Sequence, residues 1–426
     1  MMSMSGIKTM NQTRFTRTPK VASLLASLTL PMAAPAMADF IEDSHARLEL
    51  RNHYLNRDFR QANAPQSKAD EWAQGFTARV ESGFTEGTVG FGLDALGELG
   101  IKLDSSRDRR GTGLLPFGRT SLEPDDDYSE LGLTGKARLA KSVLRLGTLQ
   151  PTLPVVMYND TRLLSSTFQG GQLTSQDING LTLNGGRLTK TNLRDSSNRD
   201  DMGFGAARSD ALNFAGGTYA FSPQLNLSYF YGELEQIYRQ QFVGLVHTLP
   251  LGEGLSLRSD LRYFDSRGDG AERAGRIDNR NLNGMLTLAY GAHKFSGSYQ
   301  QLSGDSAFPF VNGGDPYVVN LVTFNTYTRA DEDSWQLRYD YDFVALGVPG
   351  LTFMTRYTDG RHVKAAGGVN NGTEWERDTD ISYVIQSGPL KNVSLRWRNV
   401  TFRSGNGLTT AIDENRLILG YTLALW

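Results

Sequence analysis

The sequence predicts an all-β fold, a transmembrane antiparallel β-barrel, and three observations support this prediction. Segments of about ten residues alternate apolar or aromatic side chains with polar or charged ones, as strands between lipid and water do. Short and long connections alternate along the chain. After the first 40 residues, no stretch is apolar for the ~20 residues that a membrane helix requires. A barrel with lipid outside and an aqueous lumen inside accounts for all three.

The alternation is clearest in residues 335–343 (WQLRYDYDF). In an extended strand, Trp335 and Leu337 point to one face and Arg338 points to the other. The pattern recurs at residues 47–51, 225–232, 255–264, 395–398 and 414–425. A charge facing hydrocarbon at mid-membrane costs about 2–4 kcal/mol, so the pattern specifies which face meets lipid. Trp426 supplies a terminal aromatic but is out of step with the leucines before it, which indicates a bulge or a frayed end.

The number of segments between connections predicts about 18 strands. Short turn candidates include residues 140–142, 222–223 and 291–292. Long polar stretches include residues 105–126, 303–332 and 359–377. An even strand number is typical of bacterial single-chain barrels, and this size keeps a water-filled lumen. Short turns on one side and long loops on the other indicate a barrel of the bacterial outer membrane.

The first 38 residues have the features of a secretory signal peptide. Four basic residues precede an apolar stretch at residues 21–30, and the small residues Ala36 and Ala38 mark a cleavage site. We therefore expect residues 1–38 to be removed and residues 39–426 to form one barrel domain. That domain has 40 basic and 46 acidic residues, a net charge of −6, which argues against nucleic acid as a partner.

The sequence contains no pattern that predicts catalysis, a cofactor or a metal site. There are no cysteines, and the five histidines lack metal-ligand spacing. Residues 87–92 (GTVGFG) lie in a strand context, so they are not a dinucleotide fingerprint. No nucleophile-elbow motif occurs. We expect a channel rather than an enzyme, with no cofactor.

Inward arginines are the candidates for solute binding, because a guanidinium stays charged and matches a carboxylate. The arginines at positions assigned to the lumen are Arg47, Arg51, Arg145, Arg187, Arg258, Arg262, Arg338, Arg356, Arg396, Arg398 and Arg416. A row of them would let an anion move stepwise through the pore. Alternatively, they pair with inward acidic residues such as Asp260 and Asp340 and only stiffen the lumen.

Two long connections are unusually apolar for loops in water. Residues 150–170 include Leu153, Val155 and Val156, and we expect this loop to fold into the lumen and place Asp160 and Arg162 in the constriction. Residues 303–320 have the same character. This second loop would present Asp315 and Tyr317 opposite the basic wall, or else it packs on the surface.

Many segments of the chain resemble the OprD family of bacterial outer-membrane porins. The resembling segments are residues 39–44 (DFIEDS), 51–52 (RN), 56–59 (NRDF), 71–76 (EWAQGF), 85–95 (TEGTVGFGLDA), 147–151 (GTLQP), 237–240 (IYRQ), 245–251 (LVHTLPL), 350–357 (GLTFMTRY), 372–380 (GTEWERDTD) and 413–419 (DENRLIL). The resemblance implies a monomeric 18-stranded barrel that takes up small carboxylate-bearing solutes such as amino acids or aromatic acids. It further implies a basic ladder of Arg396, Arg398 and Arg416, a loop arginine at Arg162, and contributions from Arg187 and Arg51.

The functional hypothesis is a passive, substrate-selective porin in the outer membrane. Its partners are expected to be a small carboxylate, membrane lipid and lipopolysaccharide, with the chain a monomer or a weak oligomer. The alternatives are a hydrolase built on an outer-membrane barrel, and a structural or adhesive barrel with a plugged lumen. Sequence leaves open which carboxylate passes.

Overall fold

The computed structural model of the protein describes residues 38–61, 64–365 and 368–426. The predicted signal peptide, apart from Ala38, lies outside the described residues. A five-residue helix α1 (Ala38–Glu42) leads into 18 strands that form one closed antiparallel barrel. The predicted fold class and strand number are confirmed. No helix in the described ranges has the length and apolar character needed to cross a membrane.

The barrel strands follow one another around the wall in chain order. Their bounds are β1 (His45–Phe59), β2 (Lys68–Glu81), β3 (Val89–Asp104), β4 (Asp127–Leu139), β5 (Ser142–Leu149), β6 (Thr167–Ser175), β7 (Leu181–Asn192), β8 (Leu212–Ser222), β9 (Leu225–Leu234), β10 (Tyr238–Gly252), β11 (Leu255–Gly268), β12 (Asp278–Tyr290), β13 (His293–Ser303), β14 (Asp333–Asp342), β15 (Leu351–Ala365), β16 (Val369–Val384), β17 (Ser394–Ser404) and β18 (Ile412–Ala424). Pairing of β1 with β18, from Arg47 opposite Ala424 to Phe59 opposite Ile412, closes the ring. Closure leaves neither strand with a free edge.

Connections at the two ends of the barrel differ in length, as expected for an outer-membrane barrel. One end has tight turns, such as the one between β4 and β5. The other end has long loops over residues 105–126, 150–166, 193–211 and 304–332. Short hairpins lie inside two of these loops, at Thr152–Leu153 with Val156–Met157 and at Arg199–Phe204 with Ala207–Ser209. Within the described ranges there are also two 3₁₀ turns, Arg107–Arg109 and Phe343–Leu346.

The prediction of a long loop at residues 359–377 is wrong. Strand β15 continues to Ala365 and β16 begins at Val369, with Asp359 opposite Trp375 and Gly360 opposite Glu374. The polar residues that suggested a loop instead alternate in face. Glu374 and Glu376 point inward and are buried against another loop, which explains why a strand here is rich in charge.

The two faces of the wall have the predicted character. Leu337 is 61 % exposed and Leu395 is 54 % exposed on the outer face, whereas inward Gln300 and Glu414 are fully buried in the interior. At the chain end, the backbone of Ala46 bonds to both Leu425 and Trp426. One residue facing two is a β-bulge, and it accounts for Trp426 being out of step with the leucines of β18.

Loops folded into the barrel form a hydrophobic core beneath its wall. Val155 and Val156 from the loop 150–166, together with Phe308 from the loop 304–332, pack against wall residues such as Phe242 and Phe264. Burying these apolar side chains stabilises the loops inside the lumen. The expectation that both apolar loops enter the barrel is therefore confirmed, and the surface-packed alternative for the second loop is wrong.

Candidate functional site

The two inward loops meet each other in the lumen. Tyr158 and Gly314 form a backbone bridge, and the Asp315 amide donates to the Met157 carbonyl over 2.9 Å. The side-chain amide of Asn159 donates to Asp315 Oδ1 over 2.6 Å. These contacts join the two loops into one partition that narrows the pore.

The partition is tied to the barrel wall through Arg51 of β1. Its guanidinium donates to both carboxylate oxygens of Asp160, over 2.6 and 3.2 Å, and to the Arg162 carbonyl over 2.8 Å. The forked geometry suits a carboxylate and is among the stronger hydrogen-bonded pairs. Arg51 and Asp160 keep 28 % and 41 % of their side-chain surface exposed. Both groups can therefore still meet a solute.

A cavity of about 530 Å³ lies beside this contact. Five of the predicted site residues line it together, namely Arg51, Asp160, Arg162, Arg396 and Arg398. Other parts of its wall come from Ser382, Ser394 and Thr422 and from Asn392 in the turn between β16 and β17. The cavity thus extends from the partition toward the end of the barrel that bears the short turns.

Arg396 and Arg398 lie two residues apart on the inner face of β17 and share one carboxylate. The Nε of Arg396 donates to Asp380 over 2.8 and 2.9 Å, and the Nε of Arg398 donates to it over 2.7 Å. Two guanidinium groups around one carboxylate leave a net positive charge. Because both contacts run through Nε, the Nη groups remain available to an anion in the cavity.

Arg162 belongs to the loop partition and is 8 % exposed. Its Nε donates to the Thr112 carbonyl over 3.0 Å and its Nη1 to the Thr161 carbonyl over 2.9 Å. Burial, together with the nearby guanidinium groups of Arg416 and Arg194, lowers the pKa of Arg162. An arginine starts from so high a pKa that it stays charged at neutral pH.

Asp315 stands on the other loop and faces a mixed environment. Burial raises the pKa of its carboxyl to about 6. Arg194, Arg162 and the hydrogen bond from Asn159 act in the opposite direction and only partly offset this effect. Asp315 is therefore a group in the partition whose charge changes within the physiological range of pH.

Arg416 was expected in the ladder but lies covered beneath the loop 304–332. It is 1 % exposed, and it donates to Glu414 over 2.5 Å and to the Thr323 carbonyl over 3.0 Å. Arg57 binds the same glutamate over 2.7 Å. The backbone of the loop occupies the position where a solute would approach. Arg416 therefore anchors the loop and does not line the cavity.

Arg187 was expected in the lumen but points to the outer face. It shares its face with the exposed Leu183, whereas the neighbouring Leu188 is buried in the interior core. Its guanidinium binds Glu235 over 2.5 Å and Asn213 over 2.8 Å. Near the loop end of β7 the usual alternation is reversed: an apolar residue faces the packed loops, and a charged residue faces outward.

Tyr317 was expected opposite the basic wall, but it packs on the wall itself. The guanidinium of Arg262 lies 3.9 Å from its ring centre, and the ring of Phe242 meets it edge-on at 5.8 Å. Arg262 also binds Asp260, and Arg338 binds Asp340. For these two arginines the pairing with inward acids, considered above as an alternative, is the arrangement in the structure.

Sequence reasoning missed the carboxylates that hold the second loop. Glu376 accepts the backbone amides of Phe324 and Asn325 over 2.9 and 2.8 Å, and Arg356 donates to the Thr323 hydroxyl over 3.1 Å. Inward acids at every second position of residues 374–380 are the available signal. It indicates an inner face, but not which loop that face would bind.

A closed 18-stranded barrel with a charged constriction formed by inward loops defines an outer-membrane porin. The model of the outer membrane porin family OprD matches residues 38–425, and the chain belongs to this family. The porin-like protein GalP of Pseudomonas putida is 39 % identical over 412 residues, covering 96 % of this chain and 98 % of that protein. The relatives of this chain are porins, so the chain is a channel protein of the outer membrane.

Solved structures agree with this assignment. OccK9 (OpdG) of Pseudomonas aeruginosa has a TM-score of 0.88 and 46 % identity, over 91 % of this chain and 100 % of that one. OpdK of the same organism, solved with vanillate, has a TM-score of 0.86 and 39 % identity over the same shares of the two chains.

Proposed function

We propose that the protein passes small carboxylate-bearing solutes passively through the outer membrane. The observation that supports this most directly is the single cavity lined by Arg51, Arg162, Arg396 and Arg398. Its size suits an amino acid, a short peptide or an aromatic acid. Vanillate, bound in the structure of OpdK, is an aromatic carboxylate, which favours the same class of solute here.

The proposed mechanism is an exchange of counter-ions along the arginines. In the unloaded pore, Asp160 binds Arg51, and Asp380 binds both Arg396 and Arg398. An entering carboxylate replaces Asp160 on Arg51 and then binds the free Nη groups of the arginine pair. Each site must bind well enough to attract the solute and weakly enough to release it.

The positive charge also concentrates anions before they bind. Walls of low dielectric constant focus the field of Arg396 and Arg398 into the cavity. The step requires no covalent chemistry and no energy source. We further propose that residues 39–426 act as the mature unit after removal of residues 1–38, as a monomer or weak oligomer.

The test is block of ion current through the reconstituted protein in a planar bilayer, with benzoate and glutamate titrated on the loop side. We expect Arg396→Gln/Arg398→Gln to weaken block by benzoate about tenfold, because two charge-assisted contacts of about 0.7 kcal/mol each are lost at partly exposed sites. Arg361→Gln, on the outer face, is the matched control.

Equal block in both variants would overturn the role of the arginine pair. A protein without single-channel current would instead be a plugged barrel. Turnover of ester or peptide substrates by the purified protein would indicate a hydrolase.

A further inference from the structure

The outer wall of the barrel has a groove of about 620 Å³ between β6 and β9. Its floor is made of the small residues Gly185, Ala215 and Gly217, which lie on adjacent strands. The exposed side chains along its sides are Leu173, Leu183, Tyr219, Leu227 and Tyr229. A long, apolar depression on a lipid-facing wall fits a hydrocarbon chain that packs into it rather than sliding past.

An arginine stands at the loop end of this groove. Arg187 follows Gly185 by two residues on the same face of β7, and half of its side chain is exposed. Arg187 lies directly opposite Asn213 on β8, and Asn213 lies opposite Glu233 on β9. Glu233 in turn lies opposite Arg239 on β10, so the row continues around the outer face. The groove therefore ends at a row of polar and charged groups.

This row lies at the level of the lipid headgroups. On its turn side the same outer face bears Tyr229, Tyr231 and Tyr263, and interfacial aromatics mark the headgroup level of a membrane. Arg239 is exposed and lies directly opposite Arg267 of β11. Arg267 is paired with Asp265 and Asp278, whereas the exposed guanidinium of Arg239 is open to an anion.

A second groove, of about 530 Å³, repeats the arrangement on β13 to β16. Phe295, Gly297, Leu337 and Tyr357 line it, and Arg377 lies at its edge. Arg377 is exposed and donates to the Thr401 hydroxyl over 3.2 Å. Two separate grooves of the outer wall, each with leucine, tyrosine and glycine in its lining and an outward arginine beside it, argue against a chance irregularity.

We propose that the groove of β6 to β9, with Arg187 and Arg239, is a binding site for the lipid A part of lipopolysaccharide. One acyl chain lies in the groove, one phosphate takes the place of Glu235 on Arg187, and a second phosphate binds Arg239. The forked donors of arginine suit phosphate oxygens. Arg187 and Arg239 are three strands apart, roughly 14 Å at about 4.8 Å per strand. That spacing suits a headgroup with two phosphates better than one with a single phosphate.

The test is native mass spectrometry of the full-length protein in detergent, titrated with diphosphoryl and monophosphoryl lipid A. The wild type should bind the diphosphoryl form about fivefold more tightly than the monophosphoryl form. This is the effect expected of one additional charge-assisted contact at an exposed site. Arg187→Gln/Arg239→Gln should abolish this preference. Ala215→Trp, which fills the groove from the lipid side, should weaken binding of both forms. Matched controls away from both grooves are Arg60→Gln, next to β1, and Leu93→Trp, on β3.

The proposal would be overturned if both groove variants bound lipid A as tightly as the wild type and kept the preference for the diphosphoryl form. A change in oligomeric state with Ala215→Trp, without any change in lipid binding, would overturn it as well, since the groove would then join two copies of the chain. Single-channel conductance and the heat-induced gel shift report whether each variant is folded. The site is independent of the pore, so carboxylate block should be unaltered in every variant.

Discussion

In the proposed exchange mechanism, Asp160 is the counter-ion that an entering solute displaces from Arg51, so the removal of Asp160 tests that mechanism. Its carboxylate binds Arg51 through two hydrogen bonds, of 2.6 and 3.2 Å. With 28 % and 41 % of the two side chains exposed, solvent screens the pair, and it contributes about 1 kcal/mol. In Asp160→Asn no side-chain carboxylate competes with the solute for Arg51, so a solute carboxylate should bind about fivefold more tightly at 25 °C.

The loop should keep its position in this variant, because Arg51 also donates to the carbonyl of Arg162 over 2.8 Å. The assay is block of single-channel current by benzoate, with binding and release rates taken from the blocked and open intervals. The gain should appear as slower release, since affinity changes within one site lie mostly in the dissociation rate.

Asp126→Asn is the matched control, because Asp126 is an exposed loop aspartate that pairs with Lys102. It should leave the block unchanged. A weaker or unaltered block in Asp160→Asn would show that solutes do not compete for Arg51, and the exchange mechanism would have to be abandoned.

Three further predictions concern the partition and the wall. Because the pKa of Asp315 is about 6, above the usual aspartate value, its negative charge is present at pH 7.5 and lost at pH 5. Anion selectivity, measured from reversal potentials, should rise as pH falls through about 6 in the wild type, and Asp315→Asn should be flat over that range. Glu376→Ala removes the acceptor of two half-buried amides, at about 1 kcal/mol each, so the loop 304–332 should become sensitive to protease and the current noisier while the barrel stays folded. Leu337→Arg places a charge on the lipid face at about 2–4 kcal/mol and should lower the refolding yield in lipid vesicles, whereas Arg338→Leu on the inner face should refold normally.

The sequence was sufficient for the barrel because every strand lies between two solvents. An alternation of period two cannot be shifted by one residue without exposing charges to hydrocarbon, so the faces of β14 and β17 could be predicted. The apolar residues of loop 150–166 are out of place in water, and they correctly predicted a loop inside the lumen. Four residues expected from the family resemblance, Arg51, Arg162, Arg396 and Arg398, line one cavity. Asp160, which was expected there from the apolar character of its loop, lines the same cavity.

The tertiary structure alone decided which arginines meet a solute. Alternation gives the face of a residue, but not its depth or what covers it, so Arg416 was expected to be open and is covered by the loop that it anchors. At the rim the alternation rule changes, because packed loops make the inner face apolar, as the burial of Leu188 shows. Arg187 lies outside for this reason. Arg396 and Arg398 share Asp380 because the register of β16 and β17 places Asp380 opposite Arg398, and the alternation within one strand does not specify that register.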